Sequence, residues 1–219
     1  MFRGGLPSDL DHLLVAVPVL DRAIDEFARA LGVRPESGGR HAEWGTHNAL
    51  LSLGSRRYLE IMSLDPAAPE AARTKGEAAF GFSRGAAPRV IGWCAAASDL
   101  EARRRAALDA GVDLGDAISG ARDRPDGSKV RWRITPPIFH GDGMVPFFID
   151  WGETRHPSLD APTGCRLLRL EGEHPDPERI WRMLSAVGSQ LSVSRGPRAR
   201  LLATLEGPTG SFTVAGAAP

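Results

Sequence analysis

The stretch Asp11-His12-Leu13-Leu14-Val15-Ala16-Val17-Pro18, with the segment Asp21 to Leu31 and then Gly32 behind it, decides how the chain is read. The nearly continuous apolar run from His12 to Val17 is that of a strand buried on one face and half-buried on the other. Asp21 can cap a helix whose Ile24, Phe27, Ala28 and Leu31 fall on one stripe, and Gly32 supplies the left-handed stop. The same order returns at Ile91-Gly92-Trp93-Cys94-Ala95-Ala96-Ala97-Ser98, followed by a helix from Asp99 to Ala110 and by Gly111. Aligning Pro18 with Ser98 puts Gly92 where His12 stands. The unit repeats, and its histidine does not.

Each helix is followed by strand-like runs. In the first unit these are His41 to Trp44, His47 to Leu53 and Arg57 to Met62, the last two joined by the hairpin loop Gly54-Ser55-Arg56. In the second they lie near Ala117-Ile118, at Val130 to Thr135 and at Val145 to Trp151, with Ser98 and Glu101 as a capping box and Pro125-Asp126-Gly127-Ser128 as a turn. Both units read βαβββ. A third copy is expected at the C-terminus. There Cys165 to Leu170 alternates as a strand, and Asp176-Pro177 opens a helix with Ile180, Met183, Leu184 and Val187 on its buried stripe, ended by Gly188. Short strands near Leu191 to Val193, Leu201 to Leu205 and Ser211 to Val214 complete it, and Pro219 ends a frayed tail. The expected class is α+β, built of repeated βαβββ modules that form a half-barrel cleft. The organisation that follows is a domain over 8–152, made of modules 8–64 and 89–152 joined by a linker 65–88 with a short helix near Glu70 to Ala79. A second linker over 152–164 leads to a C-terminal module over 164–215.

The 219 residues suffice for a normal core, and 27 basic against 27 acidic side chains exclude the basic excess that nucleic acid or an anionic membrane selects. Arg103-Arg104-Arg105 reads as a solvated helix face. Cys94 and Cys165 sit in apolar runs and read as buried thiols rather than a secreted disulfide framework. With no long apolar span and no signal-peptide pattern in Met1 to Asp9, a cytoplasmic protein is expected. The sequence holds no phosphate loop, C-x-x-C pair or G-x-S-x-G elbow, so nucleotide-driven and serine-hydrolase chemistry have no support.

Alternation along the first strand puts His12, Leu14 and Ala16 on one face and Leu13, Val15 and Val17 on the other. The aliphatic set should meet the helix, leaving His12 on the cleft side. On the fourth strand Tyr58, Glu60 and Met62 share a face, so Glu60 should look into the cleft as well. An imidazole and a carboxylate there form either half of a divalent-metal site or an acid–base pair. They compete with a purely structural reading in which Asp11-His12 satisfies a buried hydrogen-bond network.

Leu10-Asp11-His12, Gly45-Thr46-His47-Asn48-Ala49-Leu50-Leu51, Tyr58-Leu59-Glu60-Ile61 and Pro146-Phe147-Phe148-Ile149-Asp150-Trp151 together resemble the glyoxalase-like domain family of the vicinal oxygen chelate superfamily. The likeness covers about residues 8 to 152 and extends to the C-terminal unit. It implies paired βαβββ modules around a cleft. It also implies metal ligands on the first and fourth strands of each module, where a divalent ion holds two neighbouring oxygens of a substrate. Carried over, these positions are His12, Glu60 and Asp150, with the fourth position taken by Gly92. Such a set would hold Zn, Ni, Mn or Fe only if a further residue substituted. Two candidates are His47, also a candidate catalytic residue beside Glu60, and His140 in a glycine-rich loop. His41, His156 and His174 read as surface residues. Arg131 and Arg133 are either solvated or in the cleft, and Trp93, Trp132, Phe147, Phe148 and Trp151 are assigned mainly to the core.

Three functions follow from the likeness. One is a metal-assisted lyase or isomerase acting on a small oxygenated molecule. Another is a metal-free binder of a small-molecule ligand, similar to drug-sequestering members. The third is a largely structural domain whose degenerate cleft supports a homodimer, with the C-terminal unit as its interface.

Overall fold

A computed structural model describes residues 5–85, 87–124 and 126–217. The first module runs β1 (Leu10–Ala16), α1 (Leu20–Leu31), β2 (Glu36–His41), β3 (Thr46–Ser52) and β4 (Tyr58–Leu64). A connecting helix α2 (Glu70–Phe80) leads to β5 (Arg89–Ala96), α3 (Leu100–Asp109), β6 (Ile118–Asp123), β7 (Lys129–Ile134) and β8 (Phe147–Asp150). The class is α+β, and both units have the expected βαβββ order. In each, the fourth strand lies parallel beside the first: β1 pairs with β4 and β5 with β8, while β1 and β5 join the two halves antiparallel.

The curl goes further than a half-barrel. The eight strands close in the order β1-β4-β3-β2-β6-β7-β8-β5, and the closing seam between β2 and β6 is the single pair Arg40 and Asp123. Glycine makes that seam possible. A Cβ on Gly39, whose φ is +139°, would lie 2.0 Å from the Asp123 carbonyl oxygen, so no larger residue allows β6 to approach. Strand β2 ends at His41, where the sequence pattern would have started it, because 42–45 form the turn into β3. Side-chain alternation then makes two cores. Leu13, Val15, Leu59 and Ile61 face outward to meet Ile24 and Phe27 of α1, while Leu14, Ala16, Tyr58 and Met62 face the barrel interior.

Local signals account for most helix ends. Gly32 takes the left-handed position after α1 at φ +74°, and Asp99, not Ser98, caps α3 by accepting from the Ala102 N–H. Val19 occupies the cap position of α1 without a side-chain bond, so Asp21 sits within its first turn. Of the turn expected at 125–128, Pro125 lies outside the described residues, as does Pro219. Asp126 accepts from the Ser128 N–H at 2.9 Å.

The C-terminal unit is β9 (Arg166–His174), α4 (Pro177–Ala186), β10 (Ser192–Arg195), β11 (Arg200–Gly207) and β12 (Gly210–Gly216), with Asp176 capping α4 through the Arg179 N–H. It repeats the βαβββ element order in a separate four-stranded sheet of order β10-β9-β11-β12, which is not the strand order of the other two units. That sheet covers α1 and β5: Phe27 meets Phe212 edge to face at 5.3 Å, and one apolar cluster runs through both parts. Cys94 and Cys165 are buried free thiols. No helix among the described residues is long and apolar enough to cross a membrane.

Candidate functional site

The barrel interior holds a cavity of about 80 Å³, open to solvent and lined by residues of both modules that include His12, His41, Tyr58, Glu60, Arg122 and Trp132. That is well above the roughly 10–15 Å³ that one water needs, so a small ligand can enter.

Strand alternation brings His12 from β1 and Glu60 from β4 into this space, and the register pairs Leu14 with Glu60. The His12 ring is fixed on three sides. Tyr58 stacks on it at 4.6 Å, Phe147 meets it edge-on at 5.8 Å, and Asp11 takes its Nδ1 proton at 2.7 Å. Asp11 is 1% exposed and accepts two further bonds, from Trp151 Nε1 at 2.9 Å and from His156 Nε2 at 3.1 Å. Burial works to raise this carboxyl, but the bonds from His12 and His156 outweigh it and hold the pKa at about 2. An ionised Asp11 only accepts, so both rings donate to it. The Nδ1 of His156 is then free to take the Ser158 N–H at 3.2 Å. For a neutral His12 the remaining lone pair, on Nε2, points into the cavity 3.6 Å from Glu60 Oε2.

Glu60 is held from the other side. Asn48 Nδ2 donates to its Oε1 at 2.5 Å, and His41 Nε2 stands 3.8 Å from the same oxygen. Burial keeps His41 below the usual histidine range, with Glu60 partly opposing, and Thr46 Oγ1 fixes its Nδ1 at 3.1 Å. His41, His156 and His174 are therefore not surface residues: all three are buried, and the first two belong to this constellation. Alternation in β2 was misread because the strand starts five residues earlier than its pattern suggested. His156 lies in the 152–164 segment, where no periodic signal announces a buried side chain.

Two other sequence candidates point elsewhere. On β3, Thr46, Asn48 and Leu50 face inward, so His47 faces outward and bonds Ser63 Oγ at 2.8 Å. Burial, the largest influence on it, lowers its pKa. On β8, Phe147 and Ile149 line the cavity, so Asp150 is on the outer face, where it accepts from the Gly152 N–H at 2.8 Å. The register pairs Cys94 with Phe147 where the first module pairs Leu14 with Glu60. The residue corresponding to Glu60 is thus Phe147, three positions before Asp150. His140 Nε2 bonds the Asp113 carbonyl oxygen at 2.8 Å, outside the cavity. Arg131 and Arg133 project from the outer face of β7, Arg133 onto Glu101 at 2.8 Å. The aromatics divide: Trp93 and Phe148 are in the outer core, while Trp132, Phe147 and Trp151 face the cavity.

These placements test the metal that the family resemblance implies. In the second module a phenylalanine stands at the carboxylate position. At the histidine position a Cβ on Gly92 would meet the Phe139 ring at 2.8 Å. Glu60 stands between His12 and His41, with Oε2 3.6 Å from one ring and Oε1 3.8 Å from the other. Among the described residues no group of three His, Cys, Asp or Glu side chains is arranged to hold an ion. The donor set does not fit a divalent metal.

A family model described as glyoxalase-like domain matches residues 10–188. Among solved structures, a hypothetical protein from Staphylococcus aureus is 18% identical with a TM-score of 0.63, the match covering 96% of this chain and 86% of that one. That likeness is one of fold. Methylmalonyl-CoA epimerase from Mycobacterium tuberculosis is 22% identical with a TM-score of 0.40 over 68% of this chain and 90% of its own. A 4-hydroxymandelate synthase variant from Streptomyces coelicolor is 13% identical with a TM-score of 0.46 over 96% and 63%. No curated protein matches the chain.

Proposed function

Because the chain belongs to the glyoxalase-like domain family of the vicinal oxygen chelate superfamily, we propose that its barrel cavity is the active site of a lyase or isomerase. The reaction is a proton transfer on a small oxygenated molecule. The observation that carries this reading is the direction of His12. Its Nδ1 is tied to an ionised, buried Asp11, and its Nε2 is 3.6 Å from Glu60 Oε2 in a largely apolar space.

The chemistry follows from that geometry. Nε2 takes a proton from a carbon beside a carbonyl group, the C–H electron pair passes to the carbonyl oxygen as an enolate, and Asp11 stabilises the imidazolium that results. Glu60, fixed by Asn48, exchanges a proton at the neighbouring oxygen or returns one to carbon. Tyr58 and Phe147 hold the ring against rotation, so proximity is built in before the ligand arrives. No step is assigned to a metal, since the donor set does not fit one.

The test reads proton transfer directly. The protein is incubated in D₂O with a panel of small 2-oxo and 2-hydroxy compounds, and loss of C–H signal is followed by proton NMR. Catalysed exchange should fall by roughly 10²- to 10⁴-fold in His12→Ala and in Glu60→Gln, the range for a positioned acid or base. Exchange that survives both substitutions would refute the assignment. A second reading, a binding protein without turnover, is favoured by the indoles of Trp132 and Trp151 in the cavity, 5.6 Å apart. It predicts saturable tryptophan quenching by ligands that undergo no exchange.

A further inference from the structure

Arg122 lines the cavity, and the proton-transfer reading gives this cation no role. It lies on β6, where Ile118 pairs with Ile134, Gly120 with Trp132 and Arg122 with Val130, and where Ile118, Gly120 and Arg122 line the cavity. The residue is 6% exposed. Among the described residues its guanidinium has no hydrogen-bond or ion-pair partner. Other arginines of the chain contrast with it: Arg40, Arg104, Arg124, Arg133, Arg155 and Arg200 each meet a carboxylate. A guanidinium carries five donors and stays charged in proteins, and leaving it buried without an acceptor costs several kcal/mol. The fully sealed, unbonded polar atoms of the described residues are Asn48 Oδ1 and Arg73 Nε, not those of Arg122. Its nitrogens are therefore not sealed, and the residue lines the barrel cavity as well as two clefts outside it.

We propose that Arg122 is a carboxylate-binding residue and that the ligand of this cavity is a small monocarboxylic acid. The inference deepens the proton-transfer reading by naming its substrate class, and it rests on that reading only for the choice of cavity. The planar fork of a guanidinium matches the two oxygens of a carboxylate. One guanidinium balances the single negative charge of a carboxylate, whereas a phosphate ester carries roughly −1.5 to −2. A 2-oxo or 2-hydroxy acid would set its oxygenated carbon next to the bound carboxylate. Glu60 lines the same cavity and acts on Arg122 electrostatically without forming an ion pair with it. The Trp132 indole packs against Gly120, where a Cβ would be 2.2 Å from its Nε1, and lines the same cavity.

Binding is measured with the full chain, using acetate, glycolate, pyruvate, acetamide and inorganic phosphate as probes. Tryptophan fluorescence and the ligand-induced shift in Tm are the two readouts. The monocarboxylates should bind saturably and acetamide should not. Arg122→Leu should weaken carboxylate binding at least tenfold and abolish the Tm shift, while Arg122→Lys keeps part of the affinity. The ligand-free Arg122→Leu protein should be at least as stable as the parent, because an unpaired buried charge has been removed. His12→Ala should still bind the carboxylates, so a failed proton-transfer role and a failed clamp give different results. The proposal is overturned by carboxylate affinity unchanged in Arg122→Leu, by phosphate or acetamide binding as well as acetate, by no saturable binding at all, or by a marked loss of ligand-free stability in Arg122→Leu.

Discussion

Replacing Asp11 by Asn changes almost no volume, yet it should cost stability in a way that depends on pH. The folded carboxyl is held at about 2 against an ordinary value of 3.8. At 1.36 kcal/mol per pH unit that difference amounts to about 2.4 kcal/mol of stability at neutral pH. For a chain of this length the loss is a fall in Tm of roughly 5–10 °C. Because the folded pKa is depressed, the contribution is complete above the unfolded value near 4. It disappears as pH falls through about 2. Urea unfolding of parent and variant from pH 7 to pH 2 should therefore show a gap of about 2.4 kcal/mol above pH 5 that closes toward pH 2. The variant also has a defined internal geometry. Trp151 can only donate, so the Asn oxygen must stay with Trp151 and His156 and its amide must turn to His12. His12 then loses the Nδ1 proton and carries one on Nε2, which nitrogen NMR of the ring reads directly. A stability gap that does not change with pH, or a His12 ring that keeps its tautomer, would refute the reasoning.

Two further substitutions test the architecture around the cavity. Gly92→Ala places a Cβ 2.8 Å from Phe139 and should cost about 1–3 kcal/mol by overpacking, largely recovered in combination with Phe139→Leu. A double-mutant cycle in urea showing the two changes to be additive would mean the ring is not what excludes a side chain at that position. Phe27→Ala removes a fully buried ring that touches the C-terminal sheet through Phe212 and should cost roughly 3–5 kcal/mol. If calorimetry finds less than about 1 kcal/mol, the C-terminal sheet contributes little to the common core.

The pattern of residues in the chain already contained the inward direction of His12 and Glu60. The period of two in β1 and β4 leaves only one way to bury Leu13 and Val15 against α1, and that choice turns both polar groups inward. Caps such as Asp176 and stops such as Gly32 were equally legible, because they answer to backbone groups a few residues away. Asp150 was misplaced for a related reason. Its likeness to Glu60 came from residue types, Phe148-Ile149-Asp150-Trp151 against Tyr58-Leu59-Glu60-Ile61. Facing, however, is set by the register of β8 on β5, and a three-residue error reverses the face. Arg122 gave no signal because Ile118 to Asp123 lacks apolar alternation; only its partners Val130, Trp132 and Ile134 show which way it points.

By itself, then, the sequence determined the βαβββ units, their helices and the half of the site that β1 and β4 carry, all of which depend on interactions within a few residues. The tertiary structure alone decided the rest. His156 reaches Asp11 across 145 residues, Phe139 covers Gly92, the C-terminal strands take their own order, and the β2–β6 seam brings Arg122 and His41 into one cavity with His12. Those contacts come from closing a twisted sheet on itself, and closure depends on how distant strands fit together rather than on any local pattern of residues.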